Sequence, residues 1–230
     1  MAECLLTIDT STTAGSVALS RGEQLLGEVL LNIKATHTDR LLLSLAQLLE
    51  DTGVGLEDVD AFGVVVGPGS FTGLRVGVAT VKGLAMATGK PVVGISSLLA
   101  LAVQVPYPCY PLCALLDARK KEVYAGIYHW EAGRPVLQGG ERVASPEALL
   151  DELEGDTLFV GTGAAVYRTL IVRRLGPRAH FAPWPLETPR ASAVAALALA
   201  ELRNGQTMSP ECLVPCYIRP SEAELLQGDG

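Results

Sequence analysis

The stretch GPGSFTGLRVG, residues 67–77, decides the fold because it links a buried strand to a long helix. The apolar residues 61–66 before it predict a strand, and residues 71–88 hold many helix formers and no proline. Ser70 is placed to cap this helix, and the glycines ahead of it give the turn its backbone freedom. Such a turn presents N–H groups to an anion, although a tight turn without a ligand explains the same residues.

The same stretch excludes two kinds of active site. No Lys-Ser or Lys-Thr pair follows the glycines, so it is not the phosphate-binding loop of Walker-type nucleotide hydrolases. Ser70 also lacks the flanking glycines of a nucleophile elbow, which makes a serine hydrolase a poor interpretation.

Length and composition indicate an ordinary soluble protein. The 230 residues suffice for one large domain or two small lobes. No apolar run reaches the roughly 18–20 residues of a membrane span, and Met1-Ala2-Glu3-Cys4 has no basic segment typical of a secretory signal. We therefore expect a cytoplasmic protein that does not enter a membrane. A formal net charge of -7 argues against binding nucleic acid alone, so any RNA is expected to be held by a partner.

The five cysteines do not form a disulfide framework, because their number is odd and the chain is expected to be cytosolic. Cys109 with Cys113, and Cys212 with Cys216, share a three-residue gap that would suit four zinc ligands. Strand-like apolar residues and prolines next to each pair favour buried structural thiols instead.

The predicted elements occur in the same order twice. In the first half we predict strands at residues 5–8, 16–20, 25–31, 61–66 and 91–95, with helices at 39–51, at 71–88 and behind Ser96 or Ser97. In the second half we predict strands at 112–116, 122–128, 135–137 and 158–160, with helices at 146–153, 164–175 and 191–203. Prolines 106, 108 and 111 mark the boundary, giving an N-terminal lobe over 1–105, a C-terminal lobe over 106–220 and a frayed tail over 221–230.

This repetition predicts an α/β protein of the duplicated actin/Hsp70/sugar-kinase-like (ASKHA) class, in which each lobe has a mixed sheet flanked by helices. Only the element order repeats, not the sequence. In that class, turns led by aspartate face a nucleotide from both lobes. Asp9-Thr10-Ser11-Thr12 and Asp117-Ala118-Arg119 occupy the two places here.

Five motifs, in order along nearly the whole chain, resemble the bacterial TsaB (YeaZ) family. They are DTST at 9–12, GPGSFTGLRVG at 67–77, KGLA at 82–85, DAR with EVY within 117–124, and PCYIR at 215–219. The resemblance implies a role in making threonylcarbamoyladenosine on tRNAs that read ANN codons. It also implies a heterodimer with the paralogue TsaD, which carries the transferase site. TsaE, an ATPase, and TsaC, which makes threonylcarbamoyl-adenylate, complete that pathway.

The histidines argue against catalysis by this chain itself. In TsaD-type proteins, two histidines four residues apart on one helix face help to hold a metal. Here His37 is followed four residues later by Leu41, and His129 and His180 stand alone in sequence. We expect His37 to pack or cap near the start of its helix. We therefore expect no metal site. This expectation disfavours one alternative function, a glycoprotease-like metallopeptidase.

The aspartate-led turns keep a second interpretation open, an ATP-binding or ATP-hydrolysing enzyme of the same fold. Asp9 could orient a metal-bound water, and Thr10, Ser11 and Thr12 could contact phosphates, with Asp117 in the matching place of the second lobe. A satisfied polar turn explains these residues equally. Arg119 replaces the small residue that would let a phosphate approach closely. We expect no intrinsic cofactor, with ATP or ADP confined to a junction with a partner.

Two helices predict a protein interface. In residues 39–51 the leucines form an apolar arc wider than one core stripe, and the helix behind the glycine turn carries small residues at three- and four-residue spacing. Tight packing inside the lobe is the alternative, and both can hold. The resemblance points to the same helices as the face that binds TsaD, or a second copy when TsaD is missing. The predicted interface residues are Leu41, Leu42, Leu45, Leu49, Gly69, Phe71, Thr72, Gly73, Arg75, Val76, Gly77 and Thr80.

Overall fold

The computed structural model describes the backbone of residues 2–33 and 37–219, and the side chains of 2–33 and 40–219. The predictions for the His37 side chain and for the tail lie outside these residues. Contacts divide the chain into two compact units. The first unit contains the residues up to Ala100 together with Pro189–Pro215, and the second contains Leu101–Thr188 and the described residues from Cys216 onward.

The first unit is built on a five-stranded mixed sheet in the order β3-β2-β1-β4-β5. β1 is the central strand. On one edge of it β2 and β3 pair antiparallel, and on the other edge β4 and β5 pair parallel. The strands are β1 Cys4–Asp9, β2 Gly15–Arg21, β3 Gln24–Leu31, β4 Ala61–Gly67 and β5 Val92–Ser96.

Helices cover both faces of this sheet. Helices α1, His37–Thr52, and α2, Phe71–Thr88, pack with Leu6 and Ile8 of β1 in one apolar core. Successive side chains of a strand alternate between faces, so Thr7 points the other way, and its hydroxyl donates to the carbonyl of Ala191 at 2.7 Å. Ala191 begins the helix that covers this second face, Ala191–Arg203.

The position of that last helix differs from the predicted lobe boundary, which assigned it to the C-terminal lobe. It packs on strands of the first sheet, where Ser16 Oγ and Glu28 Oε1 accept hydrogen bonds from the backbone N–H groups of Ala191 and Ser192, both at 2.9 Å. These side chains cap the start of the helix from neighbouring strands, because its own Arg190 supplies no side-chain cap.

The glycine motif forms the predicted strand-to-helix turn. Ser70 Oγ accepts from the N–H of Gly73 at 3.3 Å and caps α2, as predicted, and α2 ends at Gly89 with φ of 69°. Ser96 Oγ likewise accepts from the N–H groups of Leu98 and Leu99, at the start of α3, Ser97–Val103.

The second unit repeats the sheet plan in the order β10-β9-β6-β7-β8. β6 pairs antiparallel with β7 and parallel with β9, as β1 does with β2 and β4, so the predicted duplication is confirmed at the level of topology. The strands are β6 Leu112–Asp117, β7 Val123–Glu131, β8 Arg134–Ala144, β9 Thr157–Val160 and β10 Ala179–Phe181.

The helices of this unit depart from the prediction at one point. α4, Pro146–Asp151, is followed by two short helices instead of one, α5 over Thr162–Val166 and α6 over Arg168–Leu175. The chain bends at Tyr167, whose φ of -99° and ψ of 14° interrupt the helical path. The last helix, Ala191–Arg203, is α7. No helix in the described ranges is long and apolar enough to cross a membrane.

Candidate functional site

The turn that joins β1 to β2 lies beneath the start of α2. The Thr10 hydroxyl donates to the carbonyl of Gly73 at 2.7 Å, and the N–H of Ser70 donates to the carbonyl of Ser11 at 2.7 Å. Thr12 Oγ1 accepts from the N–H of Ala14 at 3.1 Å, inside the turn. The predicted nucleotide-binding residues of the first lobe are therefore buried, and the Thr10 and Thr12 hydroxyls contact their own chain.

Three glycines of the motif make this contact possible. A Cβ atom on Gly69 would overlap the carbonyl of Ser11, one on Gly73 the carbonyl of Thr10, and one on Gly77 the Thr10 hydroxyl. Gly73 and Gly77 are buried in this packing. The prediction that they admit a partner's helix is corrected, because the group that approaches α2 is the turn of the same unit.

Asp9 is a fully buried carboxyl group of which only one oxygen is hydrogen-bonded. Its Oδ1 accepts from the N–H of Ser11 at 2.9 Å, while Oδ2 is buried with no hydrogen-bond partner among the described residues. Burial raises the pKa of this carboxyl from 3.8 to about 6, against the lowering effect of the neighbouring Ser11. At neutral pH the folded protein therefore holds a charged group in an environment that disfavours the charge.

Replacing Asp9 with asparagine is expected to stabilise the protein at pH 8. A carboxyl whose pKa is raised by folding contributes stability below its ordinary pKa of 3.8 and loses it as the pH rises through about 6. At 1.36 kcal/mol per pH unit, this loss is at most about 3 kcal/mol, which Asp9→Asn removes. Urea unfolding of both proteins between pH 3.5 and 8 measures the difference in unfolding free energy. Asp51→Asn, at an exposed carboxylate, is the control. A difference between Asp9→Asn and wild type that does not change with pH would contradict the assignment.

The matching turn of the second unit is more open. Asp117 is half-buried at the end of β6, its Oδ1 accepts from the N–H of Arg119 at 3.0 Å, and its Oδ2 lies 3.8 Å from Arg119 Nη1. The Asp117 carboxylate, which was predicted to face a nucleotide, is thus paired with Arg119. Nucleotide binding by Asp9, Thr10, Ser11, Thr12 and Asp117 stays a prediction.

The surface of α1 divides the predicted interface residues into two groups. Leu41 and Leu45 are buried in the core of the first unit, and Leu49 packs against that core, so Leu41 and Leu45 are corrected to core residues. Leu42 and Leu43 are instead 55% and 70% exposed. The sequence could not separate the two groups, because six leucines within nine positions of one helix do not mark which side is covered.

α2 contacts α1 and has exposed residues of its own. Thr72 and Arg75 are exposed, and the Arg75 guanidinium lies 3.9 Å from the ring centroid of the half-buried Phe71. Val76 and Thr80 are half-buried, whereas Met86, which was not among the predicted residues, is 58% exposed. We define the α1–α2 face as Leu42, Leu43, Thr72, Arg75 and Met86.

The cysteines do not all behave as predicted. Cys4 and Cys113 are buried, and burial raises the pKa of the Cys113 thiol to about 12, so it stays protonated. Cys109, Cys212 and Cys216 are exposed, which corrects the expectation of buried thiols at these positions. Within the described residues no three His, Cys, Asp or Glu side chains cluster as metal ligands would.

Comparison with known proteins agrees with this architecture. The family model described as TsaD, tRNA N6-adenosine threonylcarbamoyltransferase, matches residues 24–226. The tRNA threonylcarbamoyladenosine biosynthesis protein TsaB of Haemophilus influenzae is 35% identical, covering 94% of this chain and 93% of that protein. The structure of YeaZ from Pseudomonas aeruginosa has a TM-score of 0.82 at 35% identity, covering 94% of this chain and 99% of that one. Component A of the Acidaminococcus fermentans (R)-2-hydroxyglutaryl-CoA dehydratase has a TM-score of 0.53 at 13% identity, covering 88% of this chain and 100% of that one, and shares the fold.

Two sheets of matching strand order, each flanked by helices, define a protein of the duplicated actin/Hsp70/sugar-kinase-like class. The packing of the glycine turn against the DTST turn is the structural feature that corresponds most directly to the sequence motifs. Within the class, the chain belongs to the TsaB family.

Proposed function

We propose that this chain is a non-catalytic subunit of the machinery that transfers the threonylcarbamoyl group to adenosine in tRNAs reading ANN codons. It scaffolds and activates a TsaD-type partner by binding it through the α1–α2 face. Membership of the TsaB family supports the pathway. The observation that carries the mode of action is the exposure of two consecutive leucines, Leu42 and Leu43, on a helix whose other leucines lie in or against the core.

The energetics favour a protein partner on this face. Burying one leucine side chain contributes about 1.5–3 kcal/mol, and a contiguous apolar patch is typical of an interaction site. Met86 adds a flexible apolar side chain, and Arg75 is a cation suited to the rim. The α1–α2 face therefore combines exposed apolar side chains, which a partner would bury, with polar and cationic ones. Without TsaD, the same face is proposed to pair two copies of this chain.

The remaining members of the machinery are proposed to act through this pair. TsaE joins the assembly of this chain with TsaD, and this chain is proposed to engage tRNA only through that complex. ATP or ADP is proposed only at the junction with the partner. Asp9 Oδ2 and Ser11 Oγ are buried and have no hydrogen-bond partner in the described part of the chain, so we assign neither of them a contact to that nucleotide.

Reconstitution tests the proposal. Purified TsaD, TsaE and TsaC are incubated with tRNA, threonine, bicarbonate and ATP, with and without this chain, and threonylcarbamoyladenosine is measured by mass spectrometry of the digested tRNA. We expect the product to form only when the chain is present, and Asp9→Asn to support the reaction as wild type does. Product formation that is indifferent to the chain would refute the scaffold role. Loss confined to Asp9→Asn would favour the nucleotide enzyme.

A further inference from the structure

The turn between β6 and β7 has an uncommon backbone. Arg119, Lys120 and Lys121 have φ values of 61°, 52° and 61°, the left-handed region that side chains with a Cβ disfavour. Three such residues in succession, none of them glycine, cost free energy at each position. Backbone outliers of this kind persist where the surroundings hold them, and they point to a functional constraint.

The surroundings hold this turn at both ends. The N–H of Glu122 donates to the carbonyl of Arg119 at 2.9 Å, and the N–H of Ala118 donates to the carbonyl of Glu122 at 3.0 Å. Arg219, from the chain beyond the last helix, donates through Nη2 to the carbonyl of Ala118 at 3.0 Å and forms an ion pair with Glu122. The turn is thus fixed on a scaffold and does not depend on a ligand for its shape.

The fixed turn presents positive charge to solvent. All three side chains are exposed, with 77% of the Arg119 side chain accessible, and no other three consecutive residues of the sequence are all cationic. Several other arginines of the described chain are engaged by carboxylates: Arg142 by Glu152, Arg174 by Asp151, Arg190 by Glu28 and Arg203 by Glu3. The turn thus places three cationic side chains next to each other, between Asp117 and Glu122, in a chain whose net charge is -7.

We propose that the turn Arg119–Lys121 contacts the phosphate backbone of the tRNA within the assembly described under the proposed function, on which this inference rests. Lysine is depleted at the centre of protein–protein interfaces, whereas lysine and arginine are the side chains that neutralise phosphates. Residues 117–122 expose no large apolar side chain that could anchor a protein partner. The turn positions RNA without reading its sequence, and the net charge of the chain keeps this contact weak outside the assembly.

The salt dependence of tRNA binding tests the proposal. The assembly of this chain with TsaD is formed with wild type, Lys121→Gln, the double variant Arg119→Gln/Lys121→Gln, and the control Arg173→Gln, which removes an exposed cation from α6. tRNA affinity is measured by fluorescence anisotropy between 50 and 300 mM KCl. Each lost phosphate contact is expected to reduce the slope of log K against log salt by roughly one and the affinity at 0.1 M salt by about tenfold. Lys121→Arg should retain the wild-type slope, and the control should match wild type.

The outcomes separate the two proposals. If wild type does not join TsaD, as judged by gel filtration, the proposed function falls and this inference with it. If the assembly forms and the double variant keeps the wild-type slope, only the tRNA contact is overturned. If the double variant instead loses affinity for TsaD, or for ATP measured in the same assembly without tRNA, the turn serves a protein or a free nucleotide, and the inference is overturned.

Discussion

Changing Leu42 and Leu43 together to aspartate is expected to abolish binding of this chain to TsaD and, with it, formation of threonylcarbamoyladenosine. Both side chains project from α1 into solvent, at 55% and 70% exposure, so the double variant should fold normally. In the proposed complex they would be buried, and two carboxylates would then lose their hydration without a partner. Truncating one buried anchor commonly costs 2 kcal/mol or more, so a loss of at least about 1,000-fold for the pair is expected.

The measurement is isothermal titration of TsaD with each protein, followed by the transfer assay. Leu25→Asp is the matched control, because Leu25 is 48% exposed on β3 and the chemical change is the same. The Leu45→Asp change, in contrast, should unfold the first unit, since Leu45 belongs to its core. If Leu42→Asp/Leu43→Asp bound TsaD with wild-type affinity while retaining its circular dichroism spectrum, the α1–α2 face would not be the docking surface.

Replacing Gly73 with alanine is expected to destabilise the protein severely. The added methyl group would overlap the carbonyl of Thr10, which belongs to the backbone and cannot rotate away. Relief requires α2 to move off the turn, which would break the hydrogen bond from the Thr10 hydroxyl to the Gly73 carbonyl. Overpacking of this kind costs about 1–3 kcal/mol and a buried hydrogen bond roughly 1 kcal/mol more, a large share of the stability of an ordinary domain.

Gly83 provides a control within the same helix, because a Cβ atom there has no neighbour within 4 Å. Gly83→Ala should stabilise the protein by roughly 0.5–1 kcal/mol through helix propensity alone. Thermal and urea unfolding of the two variants should therefore shift in opposite directions. Equal behaviour of Gly73→Ala and Gly83→Ala would mean that the turn does not depend on close approach to α2.

Local sequence signals were sufficient for most of the fold. The run 61–66 followed by Ser70 placed β4 and the start of α2, because a short apolar strand and a hydroxyl cap act over a few residues. The final helix was predicted at its observed bounds, 191–203, from composition alone. The break at Tyr167 and the full length of β8 were missed, since the first depends on how α5 and α6 pack and the second on pairing with β7.

The candidate site shows the same division. By itself, the sequence determined the duplicated element order, the glycine turn and the family resemblance, because each rests on residue types at fixed spacing. Only the tertiary structure decided that Gly73 and Gly77 receive the Thr10 turn, that Leu45 is core while Leu43 is surface, and that residues 119–121 share a left-handed turn. These properties depend on which sequence-distant atoms pack around a residue. The spacing of residue types along the sequence does not say which atoms those are.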